Sequence, residues 1–138
     1  MKKNNNPLSP KTKNIYSALF ALPKGRAKDN LVEGALVLEG GAFRGNYTSG
    51  VIDALMENDL NFELTLGCSA GAMNGYCYVG GVIGKAGRIN LTYRHDPRYV
   101  GLDAYRRNKG IIGFDFLFQE LEKKEPIYPS HFDDPKRR

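Results

Sequence analysis

Two strand-like segments, each cut off by a glycine-rich turn, constrain this chain most. "ALVLEGG" (35–41) and "FELTLG" (62–67) are short, apolar and stopped by glycine, as buried strands are. Between them Val51, Ile52, Leu55 and Met56 recur at three-and-four spacing, with Tyr47 and Thr48 one turn earlier. That spacing predicts an amphipathic helix of about three turns, ended by "NDLN". "AGAMNGYCYVGG" then reads as a second helix, rich in small residues. Strand, glycine loop, helix, strand, turn, helix is the order of a β-α-β unit. The fold class expected is α/β: a parallel sheet with covering helices, in a Rossmann-type three-layer arrangement.

In such a sheet, ligands bind beyond the carboxyl ends of the strands, where both glycine turns fall. Gly67-Cys68-Ser69-Ala70-Gly71 fits G-x-S-x-G, a nucleophile elbow. A turn that tight holds the serine in a strained conformation with its hydroxyl exposed. The glycines leave room for the neighbouring strand and helix, whose N-terminus favours an anion forming there. The other turn, Gly40-Gly41-Ala42-Phe43-Arg44-Gly45, offers backbone N–H groups for the oxyanion of an acyl transfer. A rival reading of that turn is the dinucleotide fingerprint G-x-G-x-x-G, with Ala42 where the middle glycine belongs. The second strand then should end in an acid, and it ends in Gly67-Cys68-Ser69 instead. The blander alternative is that both turns merely let helices lie close to strands.

"LVLEGGAFRGNYTSGVIDALMENDLNFELTLGCSAGAMNG" resembles the N-terminal half of a patatin-like phospholipase domain, and "GRINLTYRHDPRYVGL" is similar to a bacterial branch of that family. The resemblance covers about residues 34–132. It implies a serine-dependent lipid acyl hydrolase acting through an acyl-enzyme on phospholipids or other lipid esters. By this likeness Ser69 is the nucleophile, and Gly40, Gly41, Ala42 and Arg44 form or support the oxyanion loop. Ala42 replaces the commoner glycine, keeping the backbone donor but narrowing the space. The family pairs its serine with an aspartate in an Asp-Gly motif, and this chain has no Asp-Gly dipeptide. Asp96, Asp103, Asp115, Asp133 and Asp134 lie downstream without that context, and His131 is the one candidate for a triad base. The expectation is therefore a truncated domain with its base missing and feeble activity, since a serine without a base is a poor nucleophile. The alternative function is a non-catalytic remnant or lipid-binding domain.

The rest of the chain bounds these readings. At 138 residues, with 41% apolar and 25% charged residues, one soluble domain is expected. The net charge of +5 is concentrated in residues 1–30, where seven Lys/Arg face one acid. Residues 1–33 are expected to be a basic, disordered extension, and residues 34–138 the hydrolase portion. Within the extension "IYSALFAL", flanked by lysines, also suits a membrane surface. No small-x-small cleavage site follows it, so the expected location is cytoplasmic, with peripheral membrane contact as the alternative. Cys68 and Cys77 make no C-x-x-C pair, and only His95 and His131 are present, so neither a metal nor another cofactor is expected. Lys85, Arg88, Arg94, Arg98, Arg106, Arg107 and Lys109 form a basic stretch facing anionic headgroups or, more simply, water. It lacks the aromatic platforms of a nucleic-acid binder, and no nucleic-acid partner is expected. Phe114, Leu117, Phe118 and Leu121 predict a last, core-packed helical stripe. "EPIYPSHFDDP" reads as loop.

Overall fold

The computed structural model describes residues 18–124, 126–127 and 129–137. The membrane-surface and disorder expectations for residues 1–17 lie outside them. The short strand β1 (Gly25–Arg26) is followed by β2 (Val32–Leu38), a 3-10 turn (Ala42–Arg44) and helix α1 (Gly45–Glu57). Next come β3 (Phe62–Gly67), α2 (Ala70–Val79), β4 (Val82–Ile83), α3 (Lys85–Tyr93), α4 (Leu102–Asn108) and a π-helical turn (Phe116–Leu121). β2 and β3 pair in parallel with Val37 opposite Leu66 and Leu38 opposite Gly67, so both strands reach their carboxyl ends together. β1 and β4 form a separate antiparallel pair.

The fold is α/β, but among the described residues the sheet is covered on one face only. A side chain at Gly75 of α2 would meet Thr65 and Leu38, which places α2 over that face. Leu38, Ile52, Met56, Tyr78 and Ile83 are buried together beneath it. On the opposite face Val37 is 71% exposed and Leu66 51% exposed, although strands of a three-layer sheet bury both faces. The buried face of α1 also differs from its apolar stripe. Gly45, Ser49, Ile52, Asp53 and Met56 are buried, whereas Tyr47 and Val51 are exposed. The cause is a seam of small residues. A side chain at Gly45 would stand 3.0 Å from the Ala70 Cβ, so α1 turns its smallest residues towards α2.

Residues before β2 pack against the rest of the described chain. Ala27 is buried in the core, its N–H donates to the Gly81 carbonyl, and Arg88 donates to the Pro23 carbonyl. At the other end of the chain His131 is buried, with Nδ1 3.1 Å from the Val79 carbonyl and Nε2 2.8 Å from Asp29. The last stripe is helical, but Phe116, Leu117 and Leu121 are its buried members and Phe114 and Phe118 are half-exposed. A π turn bonds i to i+5, which brings Phe116 and Leu121 onto one side where the α-helical spacing used above paired Leu117 with Leu121.

Candidate active site

Ser69 stands with Cys68 between the end of β3 at Gly67 and the start of α2 at Ala70, with φ 52° and ψ −119°. A non-glycine residue at positive φ is strained, and the surroundings fix it there. Cys68 N–H donates to the Leu38 carbonyl, Gly71 N–H to the Cys68 carbonyl and Met73 N–H to the Ser69 carbonyl. A side chain on Gly71 would collide with the carbonyls of Leu38 and Glu39, and one on Gly67 would sit 2.7 Å from the backbone of Ala72. Both glycines of the motif are thus demanded by close backbone approach. The serine itself is exposed, as is Cys68.

The second glycine turn is its immediate neighbour. A Cβ built on Gly40 would lie 3.2 Å from the Ser69 Cβ and 3.3 Å from the Cys68 carbonyl. Gly41 and Ala42 open a 3-10 turn, whose first N–H groups have no partner within the turn. Ala42 has φ 47°, the left-handed region, which is the physical reason a glycine is easier there. The exposed Arg44 folds back over Gly41, with Nε 3.4 Å from where a Gly41 Cβ would stand.

Sequence reading missed what holds the two turns together. Asn74 of α2 is buried and donates through Nδ2 to the Gly45 carbonyl at 2.9 Å. Its Oδ1 accepts from the Ser49 hydroxyl at 2.9 Å, and that hydroxyl also lies 3.1 Å from the Gly45 carbonyl. The signal was present in outline: small residues four apart, Gly45 and Ser49, mark a helix that packs closely.

Ser69 opens onto a cavity of about 360 Å³ whose lining is mainly apolar, including Ala42, Phe43, Met73, Ile89, Ile112 and Leu117. Its lining also includes Lys85, Glu122 and Tyr76. Lys85 is buried and lies 2.6 Å from Glu122, while Glu122 also accepts the Ile127 N–H. The Tyr76 phenol is pushed up to about 12, first by burial and then by the Glu122 carboxylate. Burial likewise pushes the Tyr99 phenol to about 12. Both phenols stay protonated at neutral pH and serve as no base. Tyr76 stands seven residues after Ser69, about two turns along α2.

Most of the candidate bases have partners away from Ser69. Asp96 is buried and held by Arg98, whose guanidinium and backbone N–H both donate to it. Burial opposes the charge on Asp96, but those hydrogen bonds and the guanidinium hold its pKa below the ordinary aspartate value. Asp103 pairs with Arg106 on the surface, and Asp134 accepts from the Lys136 N–H. Asp115 and Asp133 are exposed. His131 contacts the Val79 carbonyl at the far end of α2, about 15 Å of helix from Ser69, so it is not poised as a triad base. No aspartate lines the cavity among the described residues.

Residues 36–136 match the sequence profile described as Patatin-like phospholipase, which spans both glycine turns and the cavity wall. The chain belongs to the patatin-like phospholipase family. It is also 33% identical over 94 residues to the uncharacterized protein YjjU of Escherichia coli (strain K12). That stretch is 67% of this chain and 26% of YjjU, so the match spans about a quarter of that relative's length. No solved structure matches the chain. Within the patatin-like frame, the basic stretch divides. Lys85, Arg88 and Arg98 are tied into the fold by Glu122, by the carbonyls of Pro23 and Ile83, and by Asp96 with Glu120. Arg106, Arg107 and Lys109 are exposed. No helix of the described residues is long and apolar enough to cross a membrane.

Proposed function

We propose that this patatin-like chain carries the nucleophile half of a serine acyl-hydrolase site for lipid esters. The observation that carries the reading is Ser69, strained and exposed at the strand-to-helix junction, beside the 40–42 turn and opening onto an apolar cavity. In this reading the Ser69 hydroxyl attacks the ester carbonyl. The N–H groups of Gly41 and Ala42, with those at the start of α2, receive the negative charge on the carbonyl oxygen. Collapse of the tetrahedral intermediate expels the alcohol and leaves an acyl-serine, which water hydrolyses. The acyl chain lies along α2 against Met73, Ile89 and Leu117. Arg44 acts by holding the turn at Gly41.

The proton of Ser69 needs an acceptor, and the one carboxylate in the described cavity wall, Glu122, is paired with Lys85. That observation favours a second reading, in which this chain holds an acyl chain without turning it over. Incubating the purified chain with a p-nitrophenyl ester, and measuring released nitrophenol and protein mass together, separates the two. The hydrolase reading expects one acyl adduct on Ser69, absent in Ser69→Ala, with slow release. Loss of a triad member commonly costs about 10⁴-fold in turnover, so the adduct is the more sensitive readout. Ester binding with no adduct on either protein would favour the second reading and reject the first.

A further inference from the structure

We infer that the segment 102–114 is a docking lip for an anionic lipid surface. It rests on the proposed lipid site only for where a bound tail would go next, because the docking itself is read from the surface.

The lip has a fixed inner side and a bare outer side. Ala104 is fully buried, Ile112 bridges to Val100, and Gly113 N–H donates to the Tyr99 carbonyl. Gly101 N–H donates to the Ile111 carbonyl, which sets Ile111 beside the start of α4. With the inner side held in this way, Leu102 is 74%, Tyr105 52% and Ile111 67% exposed. Leu102 and Tyr105 are three apart on α4 and so share a face. The patch is continuous with the cavity, since Ile112 and the half-exposed Phe114 line its wall, and Phe114 stacks on the half-exposed Phe118.

Charge decides what fits there. Within 102–111 the exposed Arg106, Arg107 and Lys109 outnumber the single acid Asp103. Apolar and tyrosine side chains among cations match a lipid interface: the rings and alkyl groups enter the headgroup layer while the cations meet anionic headgroups. The bare apolar surface at Val37 has the opposite surroundings. Val37 lies between Glu33 and Glu39, and β2 and β3 contain no cation, so an anionic membrane would repel it.

The chain has no tryptophan, so a single introduced indole reports its own surroundings. Tyr105→Trp in the full chain, titrated with phosphatidylglycerol-containing vesicles, should blue-shift in emission. Pure phosphatidylcholine vesicles should give a far smaller shift, and high salt should reverse it. Val37→Trp should not respond. Adding Leu102→Ser with Ile111→Ser, or Arg106→Gln with Arg107→Gln, should weaken vesicle binding at least about tenfold with an unchanged circular dichroism spectrum. A silent indole at position 105 would overturn the lip, as would equal shifts at positions 37 and 105. A concentration-dependent shift without lipid would overturn it in favour of self-association. Ser69→Ala should bind vesicles as the parent does. Vesicle binding without any Ser69 adduct would therefore sink only the hydrolase reading, and an adduct without vesicle binding only the lip.

Discussion

Between Val32 and Val79 the chain positions its candidate site mainly through the backbone, whereas from Lys85 to Glu122 it does so through pairs of side chains. In the first region the placement of Ser69 follows from parallel strands of matched register, glycines against carbonyls and an Asn74 that binds the neighbouring turn. In the second, the cavity wall depends on Lys85 with Glu122, Asp96 with Arg98 and Arg98 over Phe116 at 4.3 Å. The difference teaches where each region is fragile. Backbone contacts tolerate no added atom, while charge pairs tolerate joint removal better than the loss of one partner.

Gly71→Val is the harshest test of the first region. Its side chain would occupy the space of the Leu38 and Glu39 carbonyls, which no rotamer can vacate. We expect a loss above about 4 kcal/mol and no folded protein, seen as an absent cooperative urea transition. A folded Gly71→Val would show that the elbow backbone can relax, and the contrast between the regions would fall.

Lys85→Met tests the second region. It leaves Glu122 at the cavity without its cation, and we expect a loss of about 3 kcal/mol. Adding Glu122→Gln removes the stranded charge and keeps an acceptor for the Ile127 N–H, so most of that loss should return. The coupling is read from urea midpoints of the two single variants and the double. Additive losses would mean that the pair matters by shape, as the backbone contacts do.

These two regions were not equally legible in the sequence. Gly67, Ser69 and Gly71 spell a backbone conformation within five residues, and the strand-like segments around them fix its place at the sheet edge. The apolar stripe of α1 misled at Tyr47 and Val51, because the Gly45–Ala70 seam rather than hydrophobicity sets which side packs. Lys85 and Glu122 are 37 residues apart, and Asp29 and His131 are 102 apart. Each reads alone as a solvated group, since nothing local records its partner. The bare face at Val37 and Leu66 was illegible for a related reason: an apolar strand does not say how many layers will cover it.

Two buried aspartates, one in each region, should answer pH in opposite ways. Burial raises the pKa of Asp53 above its ordinary 3.8, against the hydrogen bond from the Gly84 N–H. The stability this group contributes is complete below that value and is lost as pH rises through the raised one. Asp96 is lowered below 3.8, so its contribution is present above that value and is lost as pH falls through the lowered one. Asp96→Asn should therefore cost about 2 kcal/mol at neutral pH and nothing in strong acid. Asp53→Asn should match its parent in acid and gain slightly on it at neutral pH. Thermal melts across pH read both, and parallel profiles would contradict the assignments.

The smallest effect expected lies at Ala42, where the two regions meet at the cavity. Its φ of 47° puts an alanine where the left-handed conformation costs about 1–2 kcal/mol. Glycine would relieve that cost but gives the unfolded chain more freedom, an offset of up to about 1 kcal/mol. Ala42→Gly should thus stabilise by about 0.5 kcal/mol, visible as a small rise in melting temperature. The methyl group also lines the cavity, so its removal widens the space beside the proposed oxyanion donors. Faster formation of the Ser69 adduct in this variant would tie the strain at Ala42 to the chemistry of the turn. Lower stability would instead mean that the methyl packs well enough to outweigh its strained backbone, making this turn depend on side-chain contact as the cavity wall does.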